Sequence, residues 1–285
     1  MSQPVLKRPN PSEYRRLLRV AILTSSAAGM LERQRARLRE QVEILGVEID
    51  NISQRQFLAE LTKGVIFTPN VDHLMKLQEN AEFRAAYRQA DYKVCDSQIL
   101  MYASKLLGKP LKAKISGSDL LPLFCNYHKN NLDISIFLLG GADGVAKRAQ
   151  QNINASVGRD IVIAAHSPSF GFEKDEAECQ AIIDIVNDSG ATVLAVGVGA
   201  PKQELWIAKY RAQMSGVKIF MAIGAALDFE AGNKPRAPQF WSNLGLEWLY
   251  RLMSEPRRLW KRYLLDDLPF FKLLLEQKLK QFDKK

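Results

Sequence analysis

Cysteine and histidine are scarce in this sequence, with three of each among 285 residues. The cysteines, Cys95, Cys125 and Cys179, are scattered, and neither a CxxC pair nor an HExxH pair occurs. Such pairs are typical of zinc sites, and a dense set of cysteines is typical of disulfide-rich secreted domains. We therefore predict no metal site and a reducing, cytoplasmic environment.

Nucleotide fingerprints and long apolar runs are missing as well. There is no GxxxxGK[ST] loop and no Asp-x-Asp pair, and no apolar run approaches the roughly 18–20 residues that span a bilayer. The polar, basic N-terminus argues against a signal peptide. In Gly197-Val-Gly199, Lys202 stands where the dinucleotide fingerprint has its third glycine, so a nicotinamide oxidoreductase is a distant alternative.

Positive charge is concentrated at the two ends of the chain. The formal net charge is +9; residues 1–40 carry 9 Lys/Arg against 3 Asp/Glu, and residues 236–285 carry 11 against 6. A basic end attracts a polyanion or an anionic membrane surface. For residues 1–40, solvated charge on helices is the preferred explanation.

Short apolar runs alternate with helix-length segments from about residue 44 onward. This alternation predicts an α/β, Rossmann-like fold with a mostly parallel, doubly wound sheet. The predicted strands span 44–49, 64–70, 93–96, 134–139, 160–165, 192–196 and 218–223. We expect a basic N-terminal extension at 1–43 that is partly disordered or helical, the α/β domain at 44–238, and a basic amphipathic helical appendage at 239–285.

Polar residues and glycines follow most of these strands. In open α/β sheets, ligands bind at the carboxyl ends of the strands. The candidates there are Thr68, Asn70, Asp96, Gly140, Gly141, Gly197, Gly199, Lys202, Gln203 and Asp228. The Asp96 carboxylate suits a general base and equally suits an N-cap for the following helix, and the residues alone leave that choice open.

The stretch 193–206 is the most informative. An apolar strand runs into Gly197 and Gly199, and Pro201 then begins a helix. Such a loop offers backbone N–H groups to an anion, with Lys202 and Gln203 at its mouth. An ordinary strand-to-helix turn needs the same glycines for tight packing, so the loop alone does not separate these two interpretations.

Arginines, aromatic rings and leucines interleave near the C-terminus. We predict helices over 244–253 and 257–282, the second bent at Pro269. Their basic and aromatic residues are Arg251, Arg257, Arg258, Arg262, Trp248, Tyr250, Trp260 and Tyr263. This pattern is typical of a helix at a membrane interface. Packing on the sheet, or on another subunit of a homo-oligomer, is the alternative.

Eight motifs in one order resemble the WecG/TagA/CpsF family of bacterial glycosyltransferases, over about residues 44–264. They are Thr68-Pro-Asn-Val-Asp72, Gly117-Ser-Asp-Leu120, Phe137-Leu-Leu-Gly-Gly141, Gly-x-Gly-x-Pro-Lys-Gln-Glu-x-Trp at 197–206, Asp228-Phe-x-Ala-Gly232, Arg236-Ala-Pro238, Gly245-Leu-Glu-Trp-Leu-Tyr-Arg251 and Glu255-Pro-Arg-Arg-Leu-Trp-Lys-Arg-Tyr263. The N-terminal 40 residues fall outside the resemblance.

The resemblance implies an inverting transferase that needs neither metal nor cofactor. The sugar would be of the N-acetylmannosamine type, its uronic acid or a hexose. It would pass from a UDP-sugar to a polyprenyl-diphosphate-linked sugar at the cytoplasmic face of the cell membrane, in cell-envelope or exopolysaccharide synthesis. An anionic membrane surface is an expected partner, and nucleic acid is not.

The resemblance also assigns roles by position. Asp96 matches the family's proposed catalytic base, and Thr68, Asn70 and Gln203 match residues proposed to line the active site. Lys114 and Arg236 join the substrate-binding candidates, and the four arginines from Arg251 to Arg262 match the basic appendage.

Two positions depart from the family pattern. Ser97 follows Asp96 where glycine is common, and Lys114 replaces a common arginine, which keeps the charge but loses the bidentate fork. The rival prediction is a non-catalytic module that binds a nucleotide-sugar or another anion and uses its basic tail for a partner protein.

Overall fold

The computed structural model describes residues 39–235, 241 and 246–283. The chain divides into two compact units, Met1–Glu40 and Gln41–Lys285. Most of the predicted N-terminal extension lies outside the described residues, so the account below concerns the second unit.

A β-hairpin opens this unit. Strands β1 (Gln41–Ile44) and β2 (Val47–Asp50) pair antiparallel. The prediction of one strand over 44–49 is wrong, because a tight turn at Leu45 (φ 50°) and Gly46 (φ 76°) interrupts it. Two successive residues with positive φ are typical of a type I′ hairpin turn.

Six parallel strands form the main sheet, so the predicted Rossmann-like α/β fold is confirmed. They are β3 (Gly64–Phe67), β4 (Tyr92–Lys93), β5 (Ile136–Gly140), β6 (Val162–His166), β7 (Val193–Gly197) and β8 (Ile219–Ala222). Their order in the sheet is β4-β3-β8-β7-β5-β6, and every pairing is parallel.

Helices connect the strands of the described residues and follow the last strand. They are α1 (Gln54–Glu60), α2 (Val71–Glu79), α3 (Ala81–Arg88), α4 (Gln98–Leu106), α5 (Gly117–Tyr127), α6 (Val145–Val157), α7 (Glu176–Ser189), α8 (Lys202–Tyr210), α9 (Ala226–Glu230), α10 (Glu247–Ser254), α11 (Pro256–Lys261) and α12 (Pro269–Phe282). Single 3₁₀ turns occur at Phe172–Lys174 and Arg211–Gln213.

Two apolar cores lie on opposite faces of the sheet because side chains alternate along each strand. Phe137 and Leu139 point into the core formed with α2, α3, α4, α7 and α8. Ile136 and Leu138 point into the core formed with α1, α5, α6 and α9.

The connections that leave β5 and β7 lie on opposite faces of the sheet. Helix α6 follows β5 over one face, and α8 follows β7 over the other. Because β5 and β7 are neighbours, a topological switch point lies between their carboxyl ends. This is where open α/β sheets bind their ligands.

Helix α12 belongs to the core of the unit. Phe270 is 0% exposed, and Leu274 is buried with it among residues of the β-hairpin and α2. Gln277 fastens the helix to the hairpin, since its Oε1 accepts from the Leu45 N–H (2.9 Å) and its Nε2 donates to the Glu43 carbonyl (3.2 Å).

The C-terminal helix predicted over 257–282 is divided into separate pieces. Helix α11 runs into a π-helical turn, Arg262–Asp266, and α12 begins at Pro269. Proline lacks an N–H group and suits the first turn of a helix, so Pro269 starts a helix here instead of bending one.

Candidate active site

Three chain segments meet beyond the carboxyl ends of β3 and β4. The Asp96 N–H donates to the Pro69 carbonyl (2.9 Å), and the Ile115 N–H donates to the Cys95 carbonyl (2.7 Å). These bonds continue the parallel pairing past the strands. They bring together four of the predicted site residues, Thr68, Asn70, Asp96 and Lys114, in what we call the acid corner.

The capping role considered for Asp96 belongs to its neighbour. Ser97 is the N-cap of α4, and its hydroxyl accepts from the Leu100 N–H (3.4 Å). Asp96 stands one residue before the cap, so its position at the acid corner does not follow from a need to terminate α4.

Thr68 and Asn70 have different surroundings at the acid corner. Thr68 is buried, and a Cβ placed on Gly117 would lie 3.1 Å from its hydroxyl oxygen, so the start of α5 closes against it. The Asn70 side chain is the N-cap of α2, since its Oδ1 accepts from the His73 N–H (3.0 Å). Asn70 therefore fixes the direction in which α2 leaves the site.

A buried pair of rings supports the acid corner. The Nδ1 of His73 lies 2.5 Å from the hydroxyl of Tyr87. Burial lowers the pKa of His73 to about 3 and raises the pKa of Tyr87 well above its usual value. Both side chains are therefore neutral, which suits a rigid support more than a proton carrier.

The glycines at the switch point serve close packing. A Cβ on Gly140 would lie 2.4 Å from the Gly197 carbonyl oxygen, and one on Gly197 would lie 2.9 Å from the Gly224 carbonyl oxygen. The ends of β5, β7 and β8 thus approach too closely for any side chain. Close packing thus accounts for the absence of a side chain at Gly140 and Gly197.

Gly141 and Gly199 are required for different reasons. A Cβ on Gly141 would overlap Val145 at 2.8 Å. Gly199 has φ +84° and open space around the missing side chain. Backbone strain, and not crowding, therefore dictates glycine at 199, and the space beside it is open to a ligand.

Lys202 begins α8 at the mouth of this loop. Its Nζ lies 2.9 Å from Glu173 Oε1 and 4.9 Å from the ring centroid of Phe170, a fully exposed side chain. The predicted cation is therefore present at the loop, and it is already shared with a carboxylate.

Gln203 connects two of the loops and is only 2% exposed. Its Oε1 accepts from the Gly224 N–H (3.1 Å), and its Nε2 donates to Glu204 Oε1 (2.8 Å). Both ends of the amide thus take part in internal hydrogen bonds. In this arrangement Gln203 holds the β7 loop to the β8 loop.

Glu204 is a buried residue of this site that is not among the candidates predicted from the sequence. Its side chain is completely buried, and its Oε2 has no hydrogen-bond partner among the described residues. Burial raises the pKa of Glu204 to about 7, against the lowering effect of the Gln203 hydrogen bond. A charged residue in the first turn of a helix gives no sign of burial in the sequence. Only the side chains packed around Glu204 in the folded structure reveal that it is buried.

The sequence model of the glycosyl transferase WecG/TagA/CpsF family matches residues 42–284, nearly the whole described unit. The chain belongs to this family. The matched range of this WecG/TagA/CpsF glycosyltransferase includes the acid corner, the switch-point loops and the C-terminal helices.

Asp228, through Lys234, links the sheet edge of the glycosyltransferase to the C-terminal segment, by which we mean residues 246–283. Asp228 Oδ2 lies 3.7 Å from Lys234 Nζ, and Lys234 Nζ lies 3.1 Å from Glu255 Oε1, directly before α11. Arg236, the other predicted residue of this stretch, lies outside the described residues.

The predicted arginines of the C-terminal segment differ in their surroundings. Arg257 is exposed on α11. Arg262 is 32% exposed, with its Nη2 3.5 Å from Asp72 Oδ2 and its Nε 3.9 Å from Asp267 Oδ2. The side chains of Arg251 and Arg258 lie outside what the structure describes.

The two carboxyl groups at Arg262 respond to it differently. Burial raises the pKa of Asp72, but Arg262 and Lys76 outweigh this effect and hold it below its usual value. Burial raises the pKa of Asp267 to about 7, and the more distant Arg262 Nε only partly opposes this. Asp72 is therefore the ionised partner of Arg262 at neutral pH.

A row of apolar side chains is exposed on the C-terminal segment. The row comprises Leu265, Leu268, Phe271, Leu275 and Leu279. Within the described residues, no helix is long and apolar enough to cross a membrane, and no three His, Cys, Asp or Glu side chains are grouped as metal ligands.

Proposed function

We propose that this glycosyltransferase inverts the anomeric centre as it moves a sugar from a UDP-sugar to a polyprenyl-diphosphate-linked sugar. The product would serve cell-envelope or exopolysaccharide synthesis. Family membership supports the sugar transfer. One observation carries the mechanism: Asp96 stands at the carboxyl edge of the sheet beside Thr68 and Asn70, while Ser97 performs the capping.

The reaction is a single displacement. The acceptor hydroxyl oxygen attacks the anomeric carbon and forms the new C–O bond, while the bond from that carbon to the UDP oxygen breaks. Asp96 takes the hydroxyl proton as general base, and UDP leaves with the bonding electrons. Attack opposite to the leaving group inverts the anomeric carbon.

The donor diphosphate would lie at the switch point between β5 and β7. The backbone of Gly140 and Gly141 and the loop at Gly199 supply N–H groups that suit an anion. Lys202 adds positive charge there, even though Glu173 shares it. Gln203 and Asp228 would hold these loops in position. Arg236 is proposed to contact the donor from the family resemblance alone.

The acceptor lipid would approach along the C-terminal segment at the inner face of the membrane. The exposed apolar row on and before α12 suits the headgroup region, and Arg257 lies on the neighbouring α11. Arg251, Arg257 and Arg258 are proposed to contact the acceptor diphosphate or anionic lipid. Lys114 precedes Ile115, whose N–H donates to the Cys95 carbonyl next to Asp96, and it would meet the acceptor or the phosphates.

The test is a transfer assay with a panel of UDP-sugars against undecaprenyl-diphosphate-linked acceptors. The donors should include N-acetylmannosamine, its uronic acid and a hexose. Release of UDP together with an inverted glycosidic bond in the product supports the proposal. If UDP binds and no sugar reaches any acceptor, the chain is instead a non-catalytic nucleotide-sugar module.

A further inference from the structure

A charged cluster joins the acid corner to the C-terminal segment. The Asp72 carboxylate is 7% exposed and lies 3.5 Å from the Arg262 guanidinium. Lys76 Nζ, one turn further along α2, donates to the same Asp72 oxygen at 2.7 Å. Two cations, one local and one 190 residues away in sequence, therefore meet one buried carboxylate.

The position of Asp72 makes this cluster relevant to the site. Asp72 lies in the first turn of α2, two residues after Asn70, which caps that helix at the acid corner. Arg262 begins the π-helical turn, and its carbonyl accepts from the Asp267 N–H (2.8 Å). π-Helical turns inside helical segments occur frequently at functional sites.

Apolar contacts already hold the C-terminal segment against α2. Phe270 and Leu274 share one core with Leu74 and Leu77. A buried ion pair adds little to stability compared with apolar residues of the same size. In this cluster Arg262 Nε and Asp267 Oδ1 even lack hydrogen-bond partners among the described residues. The Asp72–Arg262 ion pair is therefore better explained by accurate placement of the C-terminal segment than by a contribution to the stability of the fold.

We propose that Asp72 is a positioning residue for sugar transfer, which acts by holding Arg262. The Asp72–Arg262 ion pair fixes the position of the C-terminal segment relative to the acid corner. It thereby sets where the hydroxyl of a lipid-linked acceptor meets Asp96. This inference rests on the proposed function. Under this inference Arg262 has a structural role and is no longer one of the arginines proposed to contact the acceptor diphosphate.

The inference separates the two substrates. The donor loops follow β5 and β7, whereas Asp72 lies on the β3 side of the sheet. Loss of the ion pair should therefore raise KM for the lipid acceptor and leave the Kd for UDP unchanged. A general loss of folding would weaken both together.

The experiment is a double-mutant cycle with Asp72→Asn, Arg262→Met and the double variant. The readouts are KM for an undecaprenyl-diphosphate-linked monosaccharide and the Kd for UDP by calorimetry. Each single change should raise the acceptor KM about tenfold, and the double variant should be no worse, because contacting residues are not additive. Lys209→Met, which removes an exposed ion pair with Glu176, is the matched control and should match wild type.

Additive effects of the two changes, or an acceptor KM that does not respond to Asp72→Asn, would overturn the positioning role. Absence of transfer by the wild-type protein counts against the proposed function instead. Hydrogen exchange over 262–268 then still tests the link, since Asp72→Asn should speed exchange there by about tenfold if the pair holds this turn. Should Asp72→Asn not fold, Arg262→Lys, which keeps the charge and loses the fork, takes its place in both measurements.

Discussion

The two halves of the sheet's carboxyl edge are built from different groups. On the β3–β4 side, the acid corner presents side chains, among them Asp96, Thr68 and Asn70. On the β5–β7 side, backbone meets backbone, because a Cβ on Gly140 would lie 2.4 Å from the Gly197 carbonyl oxygen. One half can exchange a proton, and the other can surround an anion with N–H groups.

Because the two halves use different groups, proton transfer and nucleotide binding should be open to separate disruption. A change in a side chain of the acid corner should alter turnover and spare nucleotide binding. A change in the backbone of the switch point should alter folding and nucleotide binding together.

The largest effect is expected for Asp96→Asn. The substitution keeps the shape and removes the base, so turnover should fall by roughly 10²–10⁴-fold, the usual contribution of a general base. Calorimetry should give an unchanged Kd for UDP. Ser97→Ala is the matched control, because loss of the cap costs about 1 kcal/mol of stability and should leave turnover within about twofold. Near wild-type turnover in Asp96→Asn would remove Asp96 from the mechanism.

The backbone half is tested by Gly140→Ala. A methyl group would overlap the Gly197 carbonyl, and Gly140 has φ +135°, so unfolding should be easier by about 3 kcal/mol or more. UDP binding should weaken with it. Gly158→Ala has a positive φ of 79° and open space, so it should cost only about 1 kcal/mol. Chemical denaturation measures both, and equal losses would contradict the crowding at the switch point.

The buried carboxyl group of Glu204, in the first turn of α8, predicts a dependence of stability on pH. Its pKa is about 7 in the folded protein against an ordinary 4.5, so the folded state keeps a proton that the unfolded state loses between these values. Wild-type stability should therefore fall as pH rises from about 4.5 to 7. Glu204→Gln removes this effect and should gain on the order of 2–3 kcal/mol relative to wild type between pH 5 and pH 8.

The control for Glu204 is Glu60→Gln, which removes an exposed carboxyl group on α1. Denaturation curves at several pH values make the comparison. If the curves for Glu204→Gln and wild type stay parallel from pH 5 to pH 8, then Glu204 is ionised in the folded protein.

Membrane attachment should show a smaller effect. Arg257→Gln removes one exposed charge, worth about 1 kcal/mol at an anionic surface, so binding to anionic liposomes should weaken about fivefold at low salt. Lys209→Gln, on α8, is the control. A variant that co-sediments like wild type would exclude Arg257 from membrane contact. Deleting residues after Gly245 is a poorer test, since it would remove Phe270 and Leu274 from the core.

The smallest effect is expected for chelation. The sequence has no Asp-x-Asp pair, and loop N–H groups together with Lys202 suit the diphosphate. Transfer should therefore proceed at an unchanged rate in excess EDTA. Activity that is lost in EDTA and restored by Mg²⁺ or Mn²⁺ would mean that a metal ion takes part at the switch point.

The layered α/β fold, and the residues at the carboxyl ends of its strands, could be predicted from the amino-acid sequence. Apolar runs of strand length, glycines and capping residues act over a few neighbours, so the parallel strands are recognisable without the structure. The hairpin was the exception, because the turn at Leu45 and Gly46 interrupts what looks like a single apolar run.

Other features depend on contacts between distant parts of the chain, and the folded structure is needed to choose between the alternatives. It assigned the α4 cap to Ser97 and not to Asp96, and it explained Gly140 and Gly197 by close backbone contact. It also distinguished the exposed Arg257 from the ion-paired Arg262, although the two arginines are only five residues apart in sequence. Arg262 differs because it pairs with Asp72, which is 190 residues away in sequence and comes into contact with it only when the chain folds.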